Sequence, residues 1–190
     1  IRHSPYYRTW CSQQFLEAVL RDYVATLPDV ELRFGWRLDS FEPRDEGSRA
    51  HLTEVATGEK VSVDADYLAA CDGARSVIRK TLGIELDGRG TMGEVWGTHF
   101  RAPTLMDAIP HAPAVVSWAV APGSSGVVYT LNGRDEWWMN KYFRADEPFS
   151  NIDPVAQLHA AIGADIPVEI ISSQSYKANQ LVADRFVAGR

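Results

Sequence analysis

Between Ser12 and Pro28, Phe15, Leu16, Val19, Leu20, Tyr23, Val24 and Leu27 recur at helical spacing, which predicts an amphipathic helix capped by Ser12 and stopped by the proline. The pattern then shortens to strands. Val30 to Phe34 and Arg37 to Phe41 read as short strands, and His51 to Ala56 and Lys60 to Val63 flank Thr57-Gly58-Glu59 as a hairpin. Ala65 to Cys71 is an apolar run that reads as a buried strand. It feeds through Gly73 into a short helix that Ser76 caps and Gly83 ends.

From about Glu85 the texture changes. Met92 to Arg101, Pro113 to Val120, Gly126 to Leu131 and Trp137 to Phe143 have strand composition, and Asn132-Gly133 is the strongest hairpin signal in the chain, so an antiparallel sheet is expected. A period of two would place Trp96 with Phe100, Val116 with Trp118, Tyr129 with Leu131, and Trp138 with Tyr142 on shared faces. Such rings could roof an aromatic ligand or simply fill a core. Asp153 and Pro154 open a helix carrying Val155, Leu158 and Ile162 to Gly163, and Val168 to Tyr176 returns as a strand. Asp87 to Gly90, with Gly93 nearby, reads as a linker, as do residues 122–125 and 146–151.

Composition narrows the class. A chain of 190 residues, 45% of them hydrophobic, can bury one sizeable core or two smaller lobes. Its 19 basic and 25 acidic side chains give a net charge of −6 with no basic stripe, which argues against a nucleic-acid partner. No apolar run is long enough to span a membrane, and Cys11 and Cys71 do not suggest a disulfide framework, so a cytoplasmic location is expected. The five histidines are scattered without ligand spacing, so no metal site is expected. Gly123-Ser124-Ser125-Gly126 lacks the spacing of a nucleophile elbow and reads as a turn. Asp64 and Asp66 read as solvent-facing.

The chemistry gathers at Tyr67 to Ser76. There a strand end, a carboxylate, a glycine and an arginine meet a helix start, whose free N–H groups beside Arg75 would favour a phosphate, while Asp72 could accept from ribose hydroxyls. The run Cys71-Asp72-Gly73-Ala74-Arg75-Ser76, followed by Arg79 and Leu82-Gly83-Ile84, resembles the DG motif of single-component FAD-dependent aromatic monooxygenases of the phenol and para-hydroxybenzoate hydroxylase group. Trp10 to Leu20 resembles the segment whose glutamine contacts FAD, a role carried here to Gln13. Ala178 to Arg190 resembles the stretch leading to the family's second flavin motif, Gly-Asp-Ala-Ala-His. The family's GxGxxG unit occurs nowhere in this sequence, so a central piece of a longer enzyme is expected.

The resemblance implies an α+β, para-hydroxybenzoate hydroxylase-like fold: an α/β remnant of an FAD-binding domain over residues 1–84, a substrate lobe with a mixed or antiparallel sheet over 85–177, and a return over 178–190. It implies FAD contacts at Gln13, Asp72, Gly73 and Arg75, while Arg79 reads as structural. It also implies NAD(P)H as reductant, dioxygen and a small aromatic substrate as partners, and hydroxylation of a phenolic ring as the activity, the piece being inactive alone. His99, Tyr129 and Asn140 are polar groups on substrate-lobe strands, but no catalytic residue is assigned. The oligomeric state stays open, a homodimer included. The other readings are a stand-alone aromatic-ligand or protein-binding module without catalysis, and, more weakly, a halogenase or reductase.

Overall fold

The computed structural model describes residues 10–109, 111–120, 125–144 and 152–190. The linker candidates at 122–124 and 146–151, and with them most of the Gly123 to Gly126 turn, lie outside the described residues. The chain divides into two compact units, one made of residues up to Asp22 with Arg89–Gln180, the other of Tyr23–Gly88 with Leu181–Arg190.

The larger unit is built on a five-stranded sheet of order β5-β6-β7-β4-β8, comprising β4 (Leu86–Arg101), β5 (Val116–Ala119), β6 (Gly126–Thr130), β7 (Glu136–Arg144) and β8 (Glu169–Ala183). β4 pairs antiparallel with β7, and β7 with β6, in unbroken register. Along β4 and β8, side-chain partners run in opposite directions, from Thr91 with Asn179 through Thr98 with Ser173 to Arg101 with Glu169, so this pair is antiparallel too.

Strand alternation then decides which rings are core. Phe100, Trp137 and Met139 share one face and pack with Ala102, Leu105 of α3 (Leu105–Ala108) and Leu158 of α4 (Pro154–Ile162). Each such side chain fully removed from water contributes about 1.5–3 kcal/mol. α4 forms as its sequence dictates: the Asp153 carboxylate accepts from Val155 and Ala156 N–H, Pro154 sits in the first turn, and Gly163 closes the helix in the left-handed region at φ 78°. At the β6–β7 turn, Asn132 Oδ1 accepts from the N–H groups of Arg134, Asp135 and Glu136.

Asp87 to Gly90 is not a linker. β4 begins at Leu86, because β8 runs alongside: Asp184 N–H donates to Glu85 O at 3.0 Å. Glycine density reads locally as a break, whereas the pairing that holds this segment comes from about a hundred residues later. β8 likewise runs past Tyr176 to Ala183, and β5 is shorter than the Pro113 to Val120 run.

The smaller unit holds an antiparallel meander, β1 (Trp36–Arg44), β2 (Gly47–Glu54) and β3 (Lys60–Ala65). The hairpin around Thr57-Gly58-Glu59 forms as expected. Val30 to Phe34 does not form a strand, since no described strand pairs with it. The expected buried strand from Ala65 to Cys71 is absent as well. β3 ends at Ala65, where its partner β2 begins (Ser48 opposite Ala65), and beyond that point no described strand pairs with the chain. Residues 67–73 are therefore irregular, with Leu68 N–H donating to Arg190 O at 2.9 Å, and Cys71 is exposed. The short helix does form, as α2 (Val77–Thr81) with Ser76 as its cap and Leu82 and Gly83 at its end.

α1 (Gln13–Val24) forms where the apolar spacing predicts, Ser12 O accepting from Phe15 and Leu16 N–H. None of its residues is buried among the described ones; Phe15, Leu16, Val19, Leu20 and Tyr23 remain exposed.

Candidate functional site

The face of the five-stranded sheet opposite the helices carries His99 on β4, Trp138 on β7 and Tyr129 on β6. The register places them side by side, His99 opposite Trp138 and Trp138 opposite Tyr129. With Trp10, Gln13 and Glu17 they line a cavity of about 620 Å³. Trp10 stacks on Tyr129 at 6.4 Å between ring centroids with planes 4° apart, and its indole N–H donates to Thr130 O at 3.3 Å. The His99 and Trp138 rings tilt against one another at 6.3 Å. Gly97 is required beneath them, since a Cβ there would collide with the Trp138 indole.

The polar groups of this wall differ in what they can do. Burial pushes the Tyr129 phenol up to about 12, reinforced by its hydrogen bond to Tyr142, so it is a neutral donor at pH 7. Asn140 is buried and absent from the cavity lining; its Oδ1 accepts from the Trp138 indole N–H at 2.6 Å and fixes that ring. His99 Nε2 is buried, makes no hydrogen bond, and lies 3.4 Å from Glu136 Oε2. Glu136 Oε1 in turn accepts from Arg101 at 3.3 Å, and Arg101 is shared with Glu169 and Asp135. Hydrogen bonding to Glu169 holds the Arg101 guanidinium above its ordinary value.

Gln13 opens α1 on this cavity wall, its amide N–H donating to Glu17. Asp72 and Gly73 instead lie in the smaller unit, on a second, mostly apolar cavity of about 840 Å³ walled by residues 67–73 and 183–190. Gly73 takes φ 75°, as the tight turn requires. The free donors expected at this turn are not free. Asp72 Oδ2 accepts from Val77 N–H at 2.7 Å and Ile78 N–H at 3.4 Å, Ser76 Oγ accepts from Arg79 N–H, and Gly73 O accepts from Ser76 N–H. The loop caps its own helix, so the phosphate reading of the α2 start is withdrawn. The Ser76 hydroxyl, followed by these backbone donors, lowers the Asp72 carboxyl below its ordinary value. Arg75 is exposed and lines neither cavity. Arg79 donates to Ile84 O, in keeping with a structural role.

Sequence reasoning missed Trp10, Glu136 and Arg185, whose guanidinium donates to Leu82 O and Gly83 O at the end of α2. Trp10 and Glu136 act through strands far away in sequence, and no local pattern marks them. No group of three or more potential metal ligands occurs among the described residues, and no described helix is long and apolar enough to cross a membrane.

This fold is shared with solved structures of known enzymes. The rebeccamycin biosynthetic enzyme RebC with reduced flavin aligns at a TM-score of 0.87 and 31% identity, over 100% of this chain and 35% of that one. Aklavinone-11 hydroxylase in complex with FAD and aklavinone aligns at 0.82 and 26%, over 98% and 36%. The fold is thus α+β, of the para-hydroxybenzoate hydroxylase-like class shared by flavin-dependent hydroxylases. Residues 1–190 match the profile of the family described as FAD binding domain, and the chain belongs to that family. Among curated relatives, the tetracenomycin B2 monooxygenase-dioxygenase of Streptomyces olivaceus is 30% identical over 98% of this chain and 35% of its own length. The chain spans about a third of the length of the curated relatives it matches.

Proposed function

We propose that this chain is the central portion of an FAD-dependent monooxygenase that hydroxylates an aromatic, phenolic substrate with NAD(P)H and dioxygen. The observation that carries the reading is the cavity bounded by Trp10, Tyr129, Trp138, His99 and Gln13, a flat aromatic wall with a few polar groups. Relatives named for tetracenomycin and aklavinone support a polycyclic phenol as the substrate class.

Each unit carries groups of a kind FAD would use. In one, the Gln13 amide stands on its cavity wall; in the other, Asp72 and Gly73 stand on theirs and Arg75 is an exposed cation, while the closed start of α2 does not suit phosphate. When bound, FAD reduced by NAD(P)H supplies the chemistry, activating dioxygen and delivering one oxygen atom to the ring. The protein's share is positional. Trp10 and Tyr129 give the substrate ring a stacking surface, and the apolar rings keep water from the reacting face. Residues 1–84 with 178–190 would serve flavin binding and 85–177 the substrate. Dependence on NAD(P)H favours the cytoplasm as the place of action.

The test uses the full-length protein loaded with FAD. With NAD(P)H and a panel of polycyclic phenols under ¹⁸O₂, a product carrying a single ¹⁸O atom is expected, together with substrate-stimulated NAD(P)H oxidation. Flavin reduction with no labelled product from any phenol would overturn the reading.

A further inference from the structure

We propose that His99, backed by Glu136, accepts the proton of the substrate hydroxyl on the wall of the 620 Å³ cavity. The inference rests on the aromatic-hydroxylase reading and names the group that makes the ring electron-rich.

The groups on the cavity differ in whether they can take a proton. Tyr129 keeps its proton at neutral pH, so it is no base there. Gln13 has no proton chemistry, and its amide is engaged with Glu17. Cys11 is exposed and turned to Ser12 O. His99 is different: its side chain is only 13% exposed, it lines the cavity, and its buried Nε2 faces the Glu136 carboxylate at 3.4 Å. A buried polar nitrogen without a hydrogen bond is costly, and the Glu136 carboxylate at 3.4 Å is the acceptor that can satisfy it. With the Nε2 proton directed at that carboxylate, the lone pair resides on Nδ1, which makes no hydrogen bond among the described residues.

The substrate O–H bond breaks, an N–H bond forms at Nδ1, and the electron pair stays on the phenolic oxygen, with nothing oxidised or reduced. The imidazolium so formed faces Glu136, whose charge stabilises it, while Arg101 holds Glu136 in place from the other side. The other titratable or charged groups around His99 are Asp135 beside Arg101, Glu169 of β8, and Glu17, Tyr129 and Cys11 on the cavity.

The experiment reads ionisation rather than turnover. The full-length, FAD-loaded protein is titrated with pH in the presence of 2-hydroxyanthraquinone, whose absorption shifts when its hydroxyl ionises, and bound is compared with free probe. In the wild type the midpoint of the bound probe is expected below that of the free one. His99→Asn is expected to raise it so that about tenfold less phenolate is bound at a given pH, and Glu136→Gln to raise it by less, both with flavin content unchanged. Should His99→Asn lose flavin, His99→Gln takes its place. A midpoint identical in wild type and His99 variants overturns the assignment and leaves the cavity's aromatic role standing. Failure of the wild type to bind the probe overturns both.

Discussion

The two sheets of this chain are held in different ways. The five-stranded sheet buries Phe100 and Leu158 completely and leaves Trp137, Met139 and Leu105 only 2–4% exposed, so its stability is that of a dry core. The three-stranded meander buries no large hydrophobic side chain; what crosses its strands is largely polar. Arg49 makes a two-pronged pair with Asp64 at 2.7 and 2.6 Å, His51 sits between Ser62 and Glu42, and Thr53 donates to Asp39. Backbone ladders alone thus give both their shape, but only one owes its stability to burial within its own unit. Exposed pairs of this kind contribute little each, and salt screens them.

The contrast can be broken first at its strongest point. Leu158→Ala removes a fully buried side chain from the larger core and is expected to cost roughly 2–5 kcal/mol, read by urea unfolding of the full-length protein; a cost under 1 kcal/mol would show that the core relaxes around the gap. In the meander the sensitive position is backbone instead. Gly47 adopts φ 113° and a Cβ there would collide with the Ala65 carbonyl oxygen, so Gly47→Ala is expected to cost about 1–3 kcal/mol, lost as faster hydrogen exchange across β2 and β3 but not across β7.

The smallest effect is with acid. Hydrogen bonds from Thr53 to Asp39, His51 to Glu42 and Arg49 to Asp64 hold these carboxyls below their ordinary values. Their share of stability is therefore complete above the normal carboxylate range, near pH 4, and disappears as pH falls through the lowered values. Amide exchange in the meander should accelerate over that window while β7 is unaffected. Equal acceleration in both sheets would erase the distinction.

What the sequence discloses follows the same line between near and far. The helices and turns whose signals are local were legible: Ser12 and Pro28 around α1, Asp153 and Gly163 around α4, Ser76 before α2, Asn132-Gly133 between β6 and β7. Elements whose existence depends on a remote partner were not. Ala65 to Cys71 has a strand's composition but no described strand pairs with it, and Asp87 to Gly90 has a linker's composition but β8 beside it. The same limit applies at the candidate site. His99 and Tyr129 were visible as polar groups on strands, yet only the β4–β7 register brings Glu136 within reach of His99, and only the fold stacks Trp10 on Tyr129.

The loop from Asp72 to Ser76 illustrates what self-capping means for recognition. Because its carboxylate and hydroxyl already hold the N–H groups of Val77, Ile78 and Arg79, its conformation is fixed by its own chain rather than by a guest. The entropy of ordering it is lost once, during folding, so a molecule arriving at that rim meets a finished surface and binds without that penalty.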